Sequence, residues 1–122
     1  MATFIGFLPK DATPVRGRNT TDITDTTVQA ILAAPASASQ SYYITSISYM
    51  NRTEAEIPFV RVQDNAATPL VYDVANLKTP NASTLHLFWP PLRIAAGAAL
   101  NGMAVTAVGD VEICVNGFLG TP

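Results

Sequence analysis

The sequence predicts an all-β protein, an antiparallel β-sandwich or jelly roll of about eight strands that follows an extended N-terminal arm. Short segments rich in Val, Ile, Tyr, Phe and Thr recur from residue 27 onward, and these residue types favour strands. Clusters of Pro, Gly, Asn, Asp and Ser separate the segments, as turns do. The one alanine-rich stretch, at 30–38, is interrupted by Pro35, so no helix of useful length competes.

Residues 1–26 differ from the β-sandwich domain predicted at 27–122. Their apolar residues come first: Phe4, Ile5, Phe7 and Leu8. Prolines and a Thr/Asp-rich stretch follow, with neither helical nor sustained alternating periodicity. Fully extended, this segment reaches about 85 to 90 Å, further than the width of the domain. We favour an arm that contacts a neighbouring molecule. The alternative is an irregular edge strand on its own domain.

Eight candidate strands follow along the chain. They are 27–33, 42–50, 57–63, 70–74, 84–89, 92–95, 99–107 and 111–118. Turn residues separate them, among them Pro35, Asn51, Asp64, Pro80 and Gly97. Short strands at this spacing are typical of an antiparallel sandwich or barrel, and a jelly roll fits best.

Alternation predicts which strand faces are buried. Two rows have apolar residues two positions apart: Leu85, Leu87 and Trp89, with His86 between them, and Val111, Ile113 and Val115, with Glu112 and Cys114 between them. We expect both rows to face the core. Other strands are apolar on both sides, at 42–44 and 59–60, which predicts that the arm or another subunit covers one of their faces.

The segment FWPPLRIAAGAALN predicts a corner. Pro90 and Pro91 cannot donate ladder hydrogen bonds, so we expect them to end one strand and turn the chain at a sheet edge, with Trp89 capping the core. The small residues around Gly97 then permit a tight turn. This segment needs no chemistry to explain it.

Composition limits the possible partners. Only 13% of the residues are charged, whereas about a quarter is usual, so either the surface is unusually neutral or partners cover much of it, and we favour partners. The net charge is -2 without a block of like charges, so neither nucleic acid nor a membrane surface is expected. No signal-peptide pattern or membrane-spanning run occurs, which predicts synthesis in a cytoplasm.

The sequence predicts no enzyme, metal site or cofactor. His86 is the only histidine, and its alternating strand position favours a solvent-facing or interface residue. Cys114 is the only cysteine, so it forms no internal disulfide and reads as a strand residue. Together they cannot form a closed zinc site, and no calcium-loop spacing occurs among Asp22, Asp25, Asp64 and Asp73.

Five segments give a resemblance to a known group. ILAAPA, YYITSISYMNRT, PFVRVQDNAATPLVY, FWPPLRIAAGAALN and VEICVNGFL, within residues 28–119, resemble small β-sandwich proteins encoded among the head and tail structural genes of tailed phages. A free-standing chain of this size is similar to the decoration or cement proteins of that group. The resemblance implies a virion protein on the outer capsid surface, made in the bacterial host cytoplasm. It would bind the major capsid protein, commonly as a homotrimer, and stabilise the shell.

The expected contact residues follow from this hypothesis. Capsid contacts are expected from Phe4, Phe7 and Leu8, with Arg16 and Arg18 as polar partners of acidic coat residues, and deletion of residues 1–26 is expected to weaken attachment. Tyr42, Tyr43, Tyr49 and Phe59 are candidates for packing between subunits, or for the core. The alternative function is a receptor-binding or fibre-tip module that recognises a host glycan or protein through loops. The predicted loops at 52–56 and 64–68 contain no Trp or Tyr, which disfavours it.

Overall fold

The computed structural model describes residues 4–5, 7–24, 26–53, 57–77, 82–104 and 110–122. Ten strands occur in these ranges: β1 (Phe4–Ile5), β2 (Leu8–Pro9), β3 (Thr13–Arg18), β4 (Gln29–Leu32), β5 (Ser41–Asn51), β6 (Ile57–Asp64), β7 (Val71–Leu77), β8 (Ser83–Arg93), β9 (Leu100–Ala104) and β10 (Val111–Gly120). The predicted turn at Pro80 and the end of the predicted strand 99–107 lie outside the described residues.

Eight of these strands form two antiparallel four-stranded sheets. The front sheet has the order β3-β10-β5-β8 and the back sheet the order β4-β9-β6-β7, while β1 and β2 pair separately. Counted from β3, these orders are 1-8-3-6 and 2-7-4-5, the strand order of a jelly roll built from two Greek keys. The predicted fold class is therefore confirmed.

The core lies between the two sheets. Val111, Ile113 and Val115 of β10 are fully buried, which confirms that this row faces inward. In the same sheet, β5 adds the buried side chains of Ile44 and Ile47 to the core. From the back sheet, β6 adds those of Val60 and Val62. Each such side chain contributes about 1.5 to 3 kcal/mol when fully buried, so this row is central to stability.

The N-terminal segment is part of the sandwich. Strand β3 pairs with β10 as the outermost strand of the front sheet. Beyond it, the buried Asn19 accepts a hydrogen bond from the Ile113 amide at 2.7 Å and donates to the Val111 carbonyl at 3.0 Å, and Ile23 is fully buried. Residues 13–18 therefore follow the alternative interpretation, an edge strand on their own domain, and the division into an arm at 1–26 and a domain at 27–122 stays a prediction. The alternative edge strand is present because β10 offers free ladder positions to β3.

Gly17 allows β3 to lie close to β4. A Cβ atom at this position would lie 2.5 Å from the carbonyl oxygen of Ile31 and 2.5 Å from Cδ2 of Leu32. Any larger side chain would therefore force the two strands apart. The absence of a side chain at Gly17 thus lets β3 lie against β4, the edge strand of the back sheet.

Strand β8 passes through the proline pair. The expected strands 84–89 and 92–95 are one strand, and the Trp89–Pro90 peptide bond is cis. On β5, Ser46 pairs with Leu87 and Ile44 with Leu92, so residues 88–91 form a bulge opposite a single β5 residue. The prolines lie at a sheet edge as predicted, but they do not end the strand, because β8 has a neighbour on only one side and needs fewer ladder donors.

Candidate functional site

The outer face of the front sheet has a row of exposed apolar side chains on β8. Leu85, Leu87 and Trp89 are 58%, 74% and 68% exposed. The prediction that this row faces the core is wrong. His86 and Phe88 occupy the inward positions, Phe88 packing against the core, so the alternate residues face solvent.

Phe7 extends this row beyond the sheet. Its ring centroid lies 5.2 Å from that of Trp89, with the ring planes at 89°, an edge-to-face contact. Phe7 remains half exposed. We call Phe7, Leu85, Leu87 and Trp89 the apolar ridge. It joins the edge strand β8 to the N-terminal segment in one continuous apolar surface.

The opposite edge of the same face is cationic. Arg16 and Arg18 lie on β3, and the Arg16 Nε donates to the Asn116 side chain at 3.1 Å. The Arg18 guanidinium lies 4.0 Å from Glu112, and Arg52 lies 3.2 Å from the same carboxylate. We call Arg16, Arg18 and Arg52 the cationic ridge. These exposed pairs contribute at most about 1 kcal/mol each, so the arginines remain available to a partner.

Small side chains separate the two ridges. The strand register aligns Arg18 with Cys114, Ser48 and Leu85, and aligns Arg16 with Asn116, Ser46 and Leu87. A cleft of about 550 Å³ lies above this part of the sheet, and its lining includes Ser48, Met50, Leu85, Glu112 and Cys114. We call this depression the trough.

Cys114 lies in the floor of the trough. Burial, followed by the neighbouring Glu112, raises the pKa of its thiol. The thiol therefore stays protonated at neutral pH and is a weak nucleophile. The residue lies on a strand, as the sequence predicts, and acts as a small neutral side chain.

The structure places the tyrosine candidates in the interior. Tyr42, Tyr43 and Tyr49 are only 6%, 4% and 1% exposed, so they offer almost no surface to a second subunit, and the core interpretation replaces the interface one. Phe59 is 46% exposed, on β6 of the back sheet, and stays a candidate for an interface. The candidates for the capsid contact differ among themselves. Leu8 is half-buried on β2, whereas the side chain of Phe4 lies outside the described residues.

A polar cluster that the sequence did not predict joins the two sheets. The His86 Nδ1 atom lies 2.6 Å from the Asp73 Oδ2 atom, and the Tyr49 hydroxyl donates to the same oxygen at 2.6 Å. His86 therefore faces inward, which corrects its assignment to solvent or an interface. Burial, followed by the hydrogen bond to Asp73, raises the pKa of Tyr49. An aspartate inside a strand is the one sequence signal of this cluster, since Asp disfavours strands.

The 64–70 loop is held by its own side chains. Asp64 accepts hydrogen bonds from the amides of Ala66 and Leu70, both at 3.1 Å, and Asn65 accepts one from the Ala99 amide at 3.0 Å. The loop is thus fixed in place and presents no aromatic ring within 64–70. This geometry does not favour ligand binding by loops at this end.

The described ranges contain neither a metal-binding cluster nor a membrane-spanning helix. Within these ranges, no group of three or more His, Cys, Asp or Glu residues could hold a metal ion. No helix in the same part of the chain has the length and apolar character needed to cross a membrane.

Known structures share the fold at low sequence identity. No family model and no curated protein matches the chain. The chain is similar to CBM32-1 from a family 31 glycoside hydrolase of Clostridium perfringens, with 9% identity, a TM-score of 0.50, and coverage of 89% of this chain and 94% of that one.

Two further similar structures have lower TM-scores. A Bacillus endospore appendage, of a family of disulfide-linked pili, has 14% identity, a TM-score of 0.49, and coverage of 99% of this chain and 96% of that one. The coat protein of Tobacco streak virus has 13% identity, a TM-score of 0.43, and coverage of 94% and 89%. At these identities the comparisons show a β-sandwich fold and nothing about function.

Proposed function

We propose that this chain is a structural virion protein that binds the outside of a phage capsid and stabilises the shell, as a trimer. The observation that supports the proposal is the apolar ridge, whose four side chains are each at least half exposed on one face. Contiguous exposed apolar surface marks an interaction site. The low content of charged residues, 13%, agrees with a surface that a partner covers.

The mechanism is binding to the assembled shell in preference to free coat subunits. A ligand that binds only the assembled state stabilises it by mass action. In a trimer, the second and third contacts form at a high effective concentration, so release requires all three to open together. The ridge provides the apolar centre of each contact, and Arg16 and Arg18 provide ionic partners for acidic coat residues.

The jelly-roll fold alone does not decide between functions. The same architecture occurs in viral capsid proteins and in lectins. Function must therefore be argued from the surface, and here the largest exposed apolar side chains of the front sheet lie along one edge.

The test uses capsids of the coat protein encoded with this chain. We expect the added protein to raise the temperature at which the capsids disrupt, and Leu87→Asp to abolish both binding and protection, because it places a charge within the ridge. Val74→Asp is the matched control, since Val74 is 46% exposed on the back sheet. Attachment of Leu87→Asp with the affinity of the unmodified protein would overturn the proposal.

One observation supports a second function, recognition of a host glycan. Trp89 is 68% exposed on a sheet face, and an exposed indole is a common stacking surface for sugars. Titration calorimetry with host surface glycans tests this, since it measures binding by both the unmodified protein and Trp89→Ala. Saturable glycan binding that Trp89→Ala removes, without any affinity for capsids, would favour the recognition module over the cement protein.

A further inference from the structure

We propose that the trough binds an amphipathic α-helix of the partner protein, with its apolar face on the apolar ridge and an acidic flank along the cationic ridge. This inference rests on the proposed function, because it names the chemistry of the partner at the same surface. It depends on three features of the described residues: the width of the trough, the pairing of the sheet backbone, and the opposite character of the two ridges.

The width of the sheet face suits a helix. Arg16 and Arg18 lie on β3, and Leu85, Leu87 and Trp89 lie on β8, the two outermost strands of the four-stranded front sheet. Neighbouring strands are about 4.8 Å apart, so three spacings place the ridges about 14 Å apart. An α-helix with its side chains is about 10 to 12 Å across. Ser46, Ser48 and Cys114 between the ridges are small. Met50, 49% exposed on the same face, is a flexible side chain that can repack beneath a helix.

The sheet backbone favours a helix over an extended segment. Strands β10 and β5 under the trough each have a hydrogen-bonded neighbour on both sides. An extended segment lying on this face would find no backbone partners, and its amide and carbonyl groups would lose water without replacement. A helix satisfies these groups internally.

The edge of β8 is also a poor place to add a strand. Pro90 and Pro91 have no amide hydrogen, and residues 88–91 bulge from the ladder. A partner strand would pair with only part of this edge. The face of the sheet is therefore the better surface for a partner than its edge.

The two ridges specify the sequence character of the helix. Arg16 and Arg18 lie two residues apart on one strand, a separation of about 6.6 Å, and residues four apart on a helix are about 6 Å apart. Acidic residues at positions i and i+4 can thus reach both arginines. The Arg18 side chain is 69% exposed and its guanidinium lies 4.0 Å from Glu112, so this weak ion pair leaves it able to turn toward a partner.

Charge at this edge selects against a basic helix. Strand β3 carries Arg16 and Arg18 and no acidic residue, and the Glu112 carboxylate lies 4.0 Å from Arg18. A lysine placed near Arg16 or Arg18 would meet like charge, which costs affinity and specificity. The opposite flank of the helix has to be apolar because β8 has no Asp, Glu, Lys or Arg between Ser83 and Leu92, and His86 faces inward.

The first experiment measures peptide binding to the full chain. The probe is a synthetic 18-residue peptide with leucines on one helical face and glutamates at i and i+4 on one flank, free of Trp and Tyr. Trp89, the only tryptophan, reports binding by fluorescence. We expect this peptide to bind about tenfold more tightly than a matched peptide with lysines at the glutamate positions. Equal affinity for the two peptides would overturn the inference.

Charge reversal on the protein is the second arm. Arg16→Glu combined with Arg18→Glu should invert the preference, so that the lysine peptide binds more tightly. Both residues are exposed on the outer face, so the fold should tolerate the change. An unchanged preference for the glutamate peptide in this variant would contradict the assignment of the cationic ridge.

Filling the trough separates this inference from the proposed function. Ser48→Phe should weaken both peptide and capsid binding, whereas Ser48→Ala should leave both unchanged, and thermal unfolding checks that each variant is folded. If Ser48→Phe attaches to capsids normally while Leu87→Asp does not, the helix inference fails and the proposed function stands. If Leu87→Asp also attaches normally, the proposed function fails as well.

Discussion

The Nδ1 atom of His86 lies 2.6 Å from the Oδ2 atom of Asp73, and this contact connects the edge strand β8 of the front sheet to the edge strand β7 of the back sheet. The Tyr49 hydroxyl donates to the same oxygen from inside the core. The aromatic ring of Tyr49 lies edge-on to the His86 ring, with centroids 5.5 Å apart. This side of the sandwich is therefore joined by a polar cluster.

Removal of Asp73 should destabilise the protein more than removal of His86. Asp73→Ala leaves the buried Tyr49 hydroxyl without its acceptor, which costs about 2 kcal/mol of unfolding free energy, whereas the half-exposed His86 is partly solvated and its loss costs about 1 kcal/mol. Urea unfolding of the two single variants and the double variant at pH 7 measures the coupling. Strictly additive effects would show that the contact contributes no interaction energy.

Alkaline pH should destabilise the fold through Tyr49. Burial, followed by the bond to Asp73, raises the pKa of Tyr49 in the folded protein, whereas the unfolded tyrosine ionises near its usual value of about 10. The contribution of Tyr49 is thus complete below pH 10 and falls as the pH rises above it. Urea midpoints between pH 8 and pH 11 measure this dependence.

Tyr49→Phe provides the control for the alkaline effect. It should lower stability at pH 8, because the hydroxyl bond is lost, but its stability should fall less steeply above pH 10. Burial also raises the pKa of Tyr42 and Tyr43, so part of the dependence should remain. Parallel curves for the two proteins would assign the alkaline effect to these other tyrosines.

Gly17→Ala should destabilise the sandwich by about 2 kcal/mol, since overpacking of this kind costs about 1 to 3 kcal/mol. The added Cβ would lie 2.5 Å from the Ile31 carbonyl oxygen, so β3 and β4 must separate. The control is Arg16→Ala, which removes an exposed side chain from the same strand. Thermal unfolding compares the two variants, and an equal Tm for both would contradict the close approach.

Deletion of residues 1–10 and of residues 1–18 should have different effects. The shorter deletion removes Phe7 but leaves β3, so the protein should fold with altered Trp89 fluorescence. The longer deletion removes β3 and leaves one edge of β10 unpaired, and we expect a large loss of stability. Circular dichroism during thermal unfolding distinguishes them, and equal stability would contradict the integrated edge strand.

Deletion of residues 1–26, which was expected to weaken attachment, would also affect folding. Removal of residues 1–26 takes away Asn19 and Ile23, both buried, together with β3. A loss of capsid attachment after that deletion would report unfolding as readily as a missing contact. The shorter deletion is the informative one for attachment.

Turn chemistry and strand propensity predicted the architecture, because both are local properties. Local properties did not predict which face of β8 points toward the core. Alternation shows that Leu85 and Leu87 share a face, but it does not show which face is buried when Phe88 on the other face is also large. The inward position of His86 is compatible with burial only because Asp73 accepts its hydrogen bond from another sheet.

The candidate site could not be predicted from local sequence, because its residues lie far apart in the chain. Arg16 and Arg18 were predicted as polar contact residues, but their position opposite Leu85 and Leu87 follows from the order β3-β10-β5-β8. The sequence of β3 shows no clear alternation, since its inward residues are only Val15 and Gly17. No local pattern indicates that these segments lie at opposite edges of one sheet face.

Strand β10 lies between β3 and β5, although it follows both in the chain. During translation, about 100 residues must be added after β3 before its hydrogen-bonding neighbour exists, which takes about 5 to 20 seconds at about 5 to 20 residues per second. Once residue 51 has been added, the nascent chain holds β3 and β5 without their shared neighbour for the rest of that interval. Chaperone demand should be highest then, and a ribosome that stalls before residue 111 releases a chain that cannot assemble the front sheet.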